Sequence, residues 1–282
     1  MSDSPLERSR VFDHEAMNTS FALRLCESDE ATAKSVAAES FYLLDQLEGQ
    51  LSRFIDGSDV SRINAMKAGE TLYLSESCHQ CLLQSMQACV ETHGLFDITL
   101  GKRIEHRKSG ADGDLPELVG KLSVHPDVAA ITCDEAGRQI DLGGAGKGFA
   151  LDQIRQILVD WNIESGLISA GASSLLAVGS EAWPIELKGD QETLRLELLG
   201  QSMSASGIGM QGSHIIHPWG ESAMPKNPCQ RVWVIADQAV VAEAWSTALM
   251  LVDPEDVPEA TADCDKSMRV FADRDGSVMC LK

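Results

Sequence analysis

The chain has 282 residues, 44% of them hydrophobic and 5% aromatic, enough apolar material for a sizeable core. Its formal charge of −20 excludes a nucleic-acid binder and a protein that docks on anionic membrane, since both need a basic surface. No run of about 18 apolar residues occurs, so no membrane span is predicted.

Residues 1–16 are polar and charged and read as an N-terminal tail without the apolar stretch of a signal peptide, which predicts a cytoplasmic chain. Residues 18–26 alternate and predict a first strand. Residues 28–54 carry Val36, Ala37, Phe41, Leu44, Leu47 and Leu51 at helical spacing, which predicts a long amphipathic helix. Asp56-Gly57-Ser58-Asp59 is turn chemistry. Ser75 is placed to cap a second helix that runs to about residue 93 and ends at Gly94. Residues 104–120 predict a surface excursion. Strands are expected at 128–133 and 138–142, joined by Asp134-Glu135-Ala136-Gly137, and a helix from about 147 to 160. Four more strands follow at 165–170, 174–179, 182–188 and 193–199, then a strand at 232–236, a helix from about 239 to 251, and a final hairpin near 268–272 and 277–281. Helices interleaved with antiparallel hairpins predict an α+β fold with mixed or antiparallel sheets and packed helices. No linker divides it, so residues 17–282 read as one domain.

Ile140 to Asp152 is the most informative stretch. A strand end runs into Gly143-Gly144-Ala145-Gly146-Lys147-Gly148, and a helix follows. The glycines let backbone approach a ligand closely, and the helix start aims N–H groups and partial positive charge at it. Phosphate is the ligand this suits. A Walker loop does not fit, because Asp141 and Gly148 stand where it needs Gly and Ser or Thr; a dinucleotide fingerprint fails at Phe149.

Three further constellations carry chemistry. Glu243 and Thr247 lie four apart on one helix face and offer two hard oxygen donors of the kind magnesium takes; the alternative is an amphipathic helix with Glu243 in solvent. His214 follows a glycine-rich stretch and suits a general base near neutral pH, or is a hydrogen-bonded strand histidine. Asp97, in Gly94-Leu95-Phe96-Asp97, either accepts from a ligand or caps a turn. Eight cysteines read as free thiols; Cys78-His79-Gln80-Cys81 has no second pair to complete a zinc site and reads as a helix turn.

Taken in order, these pieces resemble the ApbE family, the FAD:protein FMN transferases, from about Met17 to the end of the chain. The matching stations are Met17-Asn18-Thr19, Leu51-Ser52-Arg53-Phe54 with Ser58 to Asn64, and Phe96-Asp97-x-Thr99. They continue through Asp141 to Phe149, His214-Ile215-Ile216-x-Pro218, and Ala242-x-Ala244-x-Ser246-Thr247-Ala248. The resemblance implies a T-fold-like architecture, with FAD held by Met17, Phe54, Leu95, Phe96, Asp97, Gly143, Phe149, Ile215 and Ile216. It implies Mg2+ on the Gly146 carbonyl, Glu243 and Thr247. The implied reaction moves FMN from FAD to a Thr or Ser hydroxyl of an acceptor protein and releases AMP, with Lys147 on phosphate and His214 as base. Many relatives are exported. The chain departs from the family pattern at Glu243 and His217, where Asp is usual, and at Gly171-Ala172-Ser173, where Gly-Gly-Asp is common. Those departures motivate two alternatives: a FAD-binding protein with weak or lost transfer, and a FAD pyrophosphatase giving FMN and AMP.

Overall fold

A computed structural model describes residues 4–26, 29–111, 113–207 and 215–282. In chain order the elements are α1 (Pro5–Arg8), β1 (Arg10–Ala16), β2 (Thr19–Leu25), α2 (Glu30–Leu51), α3 (Asp59–Asn64), β3 (Thr71–Tyr73) and α4 (Glu76–Glu91). Then come α5 (Gly101–Lys108), β4 (Lys121–Val124), β5 (Ala130–Glu135), α6 (Gly146–Asp160), β6 (Ser165–Ala170), β7 (Ser174–Gly179), β8 (Trp183–Lys188) and β9 (Thr193–Leu198). The chain continues with β10 (Ser202–Gly207), β11 (Arg231–Ala236), α7 (Ala239–Leu249), α8 (Val257–Ala260), β12 (Arg269–Arg274) and β13 (Ser277–Cys280).

Eight strands form one antiparallel sheet in the order β1-β2-β6-β7-β10-β11-β12-β13. Alternation along each strand sends successive side chains to opposite faces. Ile168 meets the core beneath α2, α4 and α6, while its neighbour Leu167 joins Trp183, Ile185 and Leu198 of the β8–β9 hairpin on the other face. On β11, Trp233 and Ile235 face that hairpin, and Val232 and Val234 pack with Trp245 of α7. The sheet is therefore covered on both sides, by helices on one and by a hairpin on the other. A second sheet, β3-β5-β4, stands apart.

The α+β class is as expected, and the expected strands at 165–170 and 174–179 coincide with β6 and β7. Three differences have physical causes. Residues 10–16 are not part of a tail: they form edge strand β1, whose exposed side chains, Val11 apart, are the charged Arg10, Asp13 and Glu15. The expected strand at 138–142 does not pair with β5. It runs beside residues 98–101 instead, with a parallel Leu100–Gln139 bridge and the Asp141 N–H donating to the Ile98 carbonyl at 2.8 Å, while the Ile140 backbone donates to Asn64 Oδ1 at 2.7 Å and its carbonyl accepts from Asn64 Nδ2 at 2.9 Å. Central strand β10 was not expected, because Ser202-Met203-Ser204-Ala205-Ser206 lacks the β-branched and aromatic residues that mark strands.

Candidate active site

The glycine turn is held from behind. Asp141 is buried, and its Oδ1 accepts the Gly143 N–H at 2.8 Å. Its Oδ2 accepts from Arg53 Nη1 at 3.2 Å. The same guanidinium donates to the Gly101 carbonyl (2.9 Å), Glu105 (2.9 Å) and Gln139 (3.3 Å). A planar fork with five donors can serve four acceptors on two segments at once. Ser58 caps α3 through the Ser61 N–H and donates to the Ser52 carbonyl, which fixes the bend that presents Arg53. The Leu51–Asn64 segment thus scaffolds the turn from two points, Arg53 and Asn64.

Helix α6 opens at Gly146 with no side-chain cap from its own N-cap residue, Ala145. The missing cap comes from α7: Glu243 Oε2 accepts the Gly148 N–H at 2.6 Å. Glu243 Oε1 meets Lys147 Nζ at 2.5 Å, and that ammonium also donates to the Gly143 carbonyl at 3.4 Å. Only 4% of Glu243 is exposed, so the solvent-facing alternative is overturned. A buried carboxylate needs such partners, here a cation and the positive end of a helix. One turn on, Thr247 Oγ1 donates to the Glu243 carbonyl at 3.1 Å and lies 3.4 Å from Ser206 Oγ. A Cβ on Gly144 would stand 3.0 Å from Phe96 and 3.7 Å from Thr247 Oγ1, so the turn, Phe96 and α7 are in contact range.

These elements border a cleft of about 310 Å³. Its walls include Leu95, Phe96, Asp97, Gly143, Lys147, Ile215, Ile216, Glu243 and Thr247 from the sequence-derived set. Asp97 caps a turn, its Oδ1 accepting from the Thr99 N–H at 2.7 Å, and it stands on the cleft wall. Phe54, 79% exposed, borders an adjoining groove with Ile104, Lys108 and Asp141, three residues that also border the main cleft. Three further members of the set border neither the cleft nor the groove. Phe149 is fully buried in the main core. Gly146 is buried in the first turn of α6. Met17 packs on the core at the β1–β2 turn, where Met17 (φ 52°) and Asn18 (φ 56°) both take left-handed backbone. His214 lies outside the described residues.

Sequence reasoning missed several wall residues. Ser204 and Ser206 come from β10, the unexpected strand, and Ile104 and Lys108 come from α5 inside a segment read as loop. Gly171, Ala172 and Ser173, noted only as departures from a pattern, also border the cleft. The Cys78–Cys81 pair is buried in α4; burial pushes both thiols up, that of Cys81 to about 12, so neither is poised for redox or metal chemistry. Among the described residues no three His, Cys, Asp or Glu side chains cluster as a metal centre.

Fold and cleft together define an α+β protein in which a glycine turn, an ammonium and hard oxygen donors converge on one concave site. The ApbE family model matches residues 17–271, and the chain belongs to the ApbE family. A curated relative named FAD:protein FMN transferase from Klebsiella pneumoniae (strain 342) is 25% identical, over 89% of this chain and 81% of the relative. Another of that name, from Escherichia coli (strain K12), is 25% identical over 77% and 70%. The apo flavinyl transferase ApbE of Pseudomonas stutzeri shares the fold at a TM-score of 0.83 and 23% identity, covering 96% of this chain and 94% of that one. The ApbE protein of Thermotoga maritima does so at 0.81 and 20%, covering 96% of each. Among the described residues no helix is long and apolar enough to cross a membrane.

Proposed function

We propose that this chain binds FAD in the cleft and transfers its FMN half to a Thr or Ser hydroxyl of an acceptor protein, releasing AMP. The observation that carries this reading is the convergence of the Gly143 turn, Lys147, Glu243 and Thr247 on one cleft bordered by Phe96, Ile215 and Ile216. Apolar walls suit a flavin ring, and the polar end suits a pyrophosphate.

In the reaction the acceptor oxygen bonds to the phosphorus of the FMN half. The bond from that phosphorus to the bridging oxygen breaks, AMP leaves with the bridging oxygen, and the hydroxyl proton passes to a base. His214 is assigned that base on its place in the sequence. Gly143 and the start of α6 offer backbone to the phosphates, and Lys147 supplies a positive charge where negative charge grows. Ile215 and Ile216 exclude water from the flavin side.

The donor chemistry fits magnesium: the Glu243 carboxylate and the Thr247 hydroxyl are hard oxygens on one helix face, and each keeps lone pairs beyond its present contacts. The Gly146 carbonyl is the third ligand implied by the family pattern. Such a cation would supply charge neutralisation at the pyrophosphate.

A second reading, FAD binding with little transfer, is favoured by one observation: both oxygens of Glu243 are already engaged, by Lys147 and Gly148. Incubation with FAD, Mg2+ and a candidate acceptor separates the readings. Flavin fluorescence fixed to the acceptor, with AMP released in equal amount, supports transfer. AMP with free FMN points to hydrolysis, and bound FAD without either product points to a binding protein.

A further inference from the structure

We infer that Lys147 is a built-in counter-ion that competes with the divalent cation for Glu243, so that the empty enzyme resists metal and FAD makes it receptive. The inference rests on the proposed magnesium reading of this site. It starts from charge accounting. Glu243 is almost fully buried and carries one negative charge, and Lys147 Nζ at 2.5 Å balances it. The Gly148 N–H at 2.6 Å holds the other oxygen at the positive end of α6. A divalent cation entering while Lys147 stays would face an ammonium at contact range and a carboxylate whose charge is already matched. In a site so shielded from water, that repulsion is poorly screened.

The extra methylene of Glu over Asp matters here. It extends the carboxylate from α7 far enough to touch both Lys147 and Gly148 on α6. The lysine has an alternative station, because its ammonium already lies 3.4 Å from the Gly143 carbonyl and borders the cleft. A pyrophosphate seated on the turn would draw the ammonium toward it and release one Glu243 oxygen for the metal. Metal and FAD then bind with positive coupling, and by linkage each tightens the other.

The experiment measures Mn2+ binding to the full chain by electron paramagnetic resonance, with and without FAD, and needs no turnover. The wild type should bind Mn2+ weakly alone and about tenfold or more tightly with FAD. Lys147→Met should bind Mn2+ about tenfold more tightly than the wild type without FAD, and FAD should add little. Lys147→Gln is the second variant should Met impair folding, with thermal unfolding followed for both. Glu243→Gln should abolish the tight site in either background. If the lysine variants bind Mn2+ no better than the wild type while the wild type with FAD binds it well, the competition is refuted and the magnesium reading stands. If no form binds Mn2+ even with FAD, both fail.

Discussion

Asp152 and Glu243 cap each other's helices. Asp152, on α6, accepts the Ala239 and Val240 N–H groups that open α7, at 2.9 and 3.0 Å; Glu243, on α7, accepts the Gly148 N–H in the first turn of α6, at 2.6 Å. Two helix N-termini meet here, and their like partial charges would repel. A carboxylate from each helix relieves the other. The donors of the candidate site are thus positioned by the same contacts that join the two helices.

Asp152→Ala should lower stability by about 1–2 kcal/mol, the usual scale for a lost cap. The pH dependence has a definite sign. Burial raises the Asp152 pKa above its ordinary value of 3.8, outweighing the two N–H groups and Arg155. An acid with a raised folded value stabilises the fold most below its unfolded value, and that contribution fades as pH rises through the folded one. The deficit of Asp152→Ala relative to the wild type should therefore widen as pH falls from neutral toward 4. Urea unfolding of both proteins across that range checks it.

Gly148→Ala and Gly146→Ala form a matched pair. A Cβ on Gly148 would lie 2.5 Å from the Ala239 carbonyl oxygen and 2.7 Å from Val240 Cα, both backbone atoms. The helices would have to separate, at a cost of about 1–3 kcal/mol, and the Glu243 cap would lengthen. A Cβ on Gly146 would meet nothing within 4 Å, so that variant should be neutral or gain up to about 1 kcal/mol. Thermal unfolding and flavin titration of the two variants should diverge; equal behaviour would remove the close approach of α6 and α7 as an explanation.

Arg53→Met should be the most damaging of the scaffold changes. It leaves the buried Asp141 carboxylate with the Gly143 N–H alone, and losing one partner of a buried pair costs about 3–5 kcal/mol. Arg53→Lys should recover little, because a point charge cannot serve the Gly101 carbonyl, Asp141, Glu105 and Gln139 together. Flavin affinity should fall in both variants, since Asp141 sets the Gly143 backbone. Denaturant midpoints and FAD titration measure the two effects.

What could be read in advance follows the strength of the local signal. Helices α2, α4, α6 and α7 carry long apolar periodicity, and β6, β7 and β11 are apolar runs bounded by turn residues, so their positions agree closely. Strand β10 escaped because its helix-facing residues are serines: Ser202 donates to its neighbour's carbonyl and Ser206 meets Ser246 at 3.0 Å, so on that face polar contacts replace the apolar pattern. The glycine turn was legible because four glycines around one lysine stand out in the sequence, and one of them, Gly148, is where the α7 backbone comes too close for a Cβ. The partners of Lys147 were not, since they depend on how α7 packs across α6, 95 positions away for the Gly148–Glu243 contact. The orientation of Phe149 was equally hidden: it follows the glycine turn, and its ring packs into the core because α6 buries that face.

Met17 sits in left-handed backbone at φ 52°, beside Asn18 at φ 56°, in a two-residue turn closed by the Ala16–Thr19 pair. Asparagine tolerates that conformation and methionine does not, so Met17→Asn should stabilise the fold by up to about 1 kcal/mol. The strain is kept while the side chain packs on the core next to Thr19, which borders the cleft. If Met17 shapes the flavin pocket, the stabilised variant should bind FAD less tightly; unchanged affinity would assign Met17 to packing alone.

His217 gives the candidate site an acid limit. Its ring is buried, its Nδ1 accepts the Trp219 N–H at 3.3 Å, and burial lowers its pKa below the ordinary 6.5. A histidine with a lowered folded value contributes stability above its unfolded value, and that stability is lost as pH falls through the folded one. The neighbouring Pro218 carbonyl accepts from Arg103 at 2.9 Å, so the 215–219 segment is tethered to α5 at the cleft wall. Protonation should loosen it and displace Ile215 and Ile216, which border the cleft. FAD affinity and the urea midpoint should therefore fall together below about pH 6.5 in the wild type. His217→Gln, which cannot take up that proton, should show a flatter decline in both. A wild-type profile no steeper than that of the variant would acquit His217 and leave the acid sensitivity to other groups.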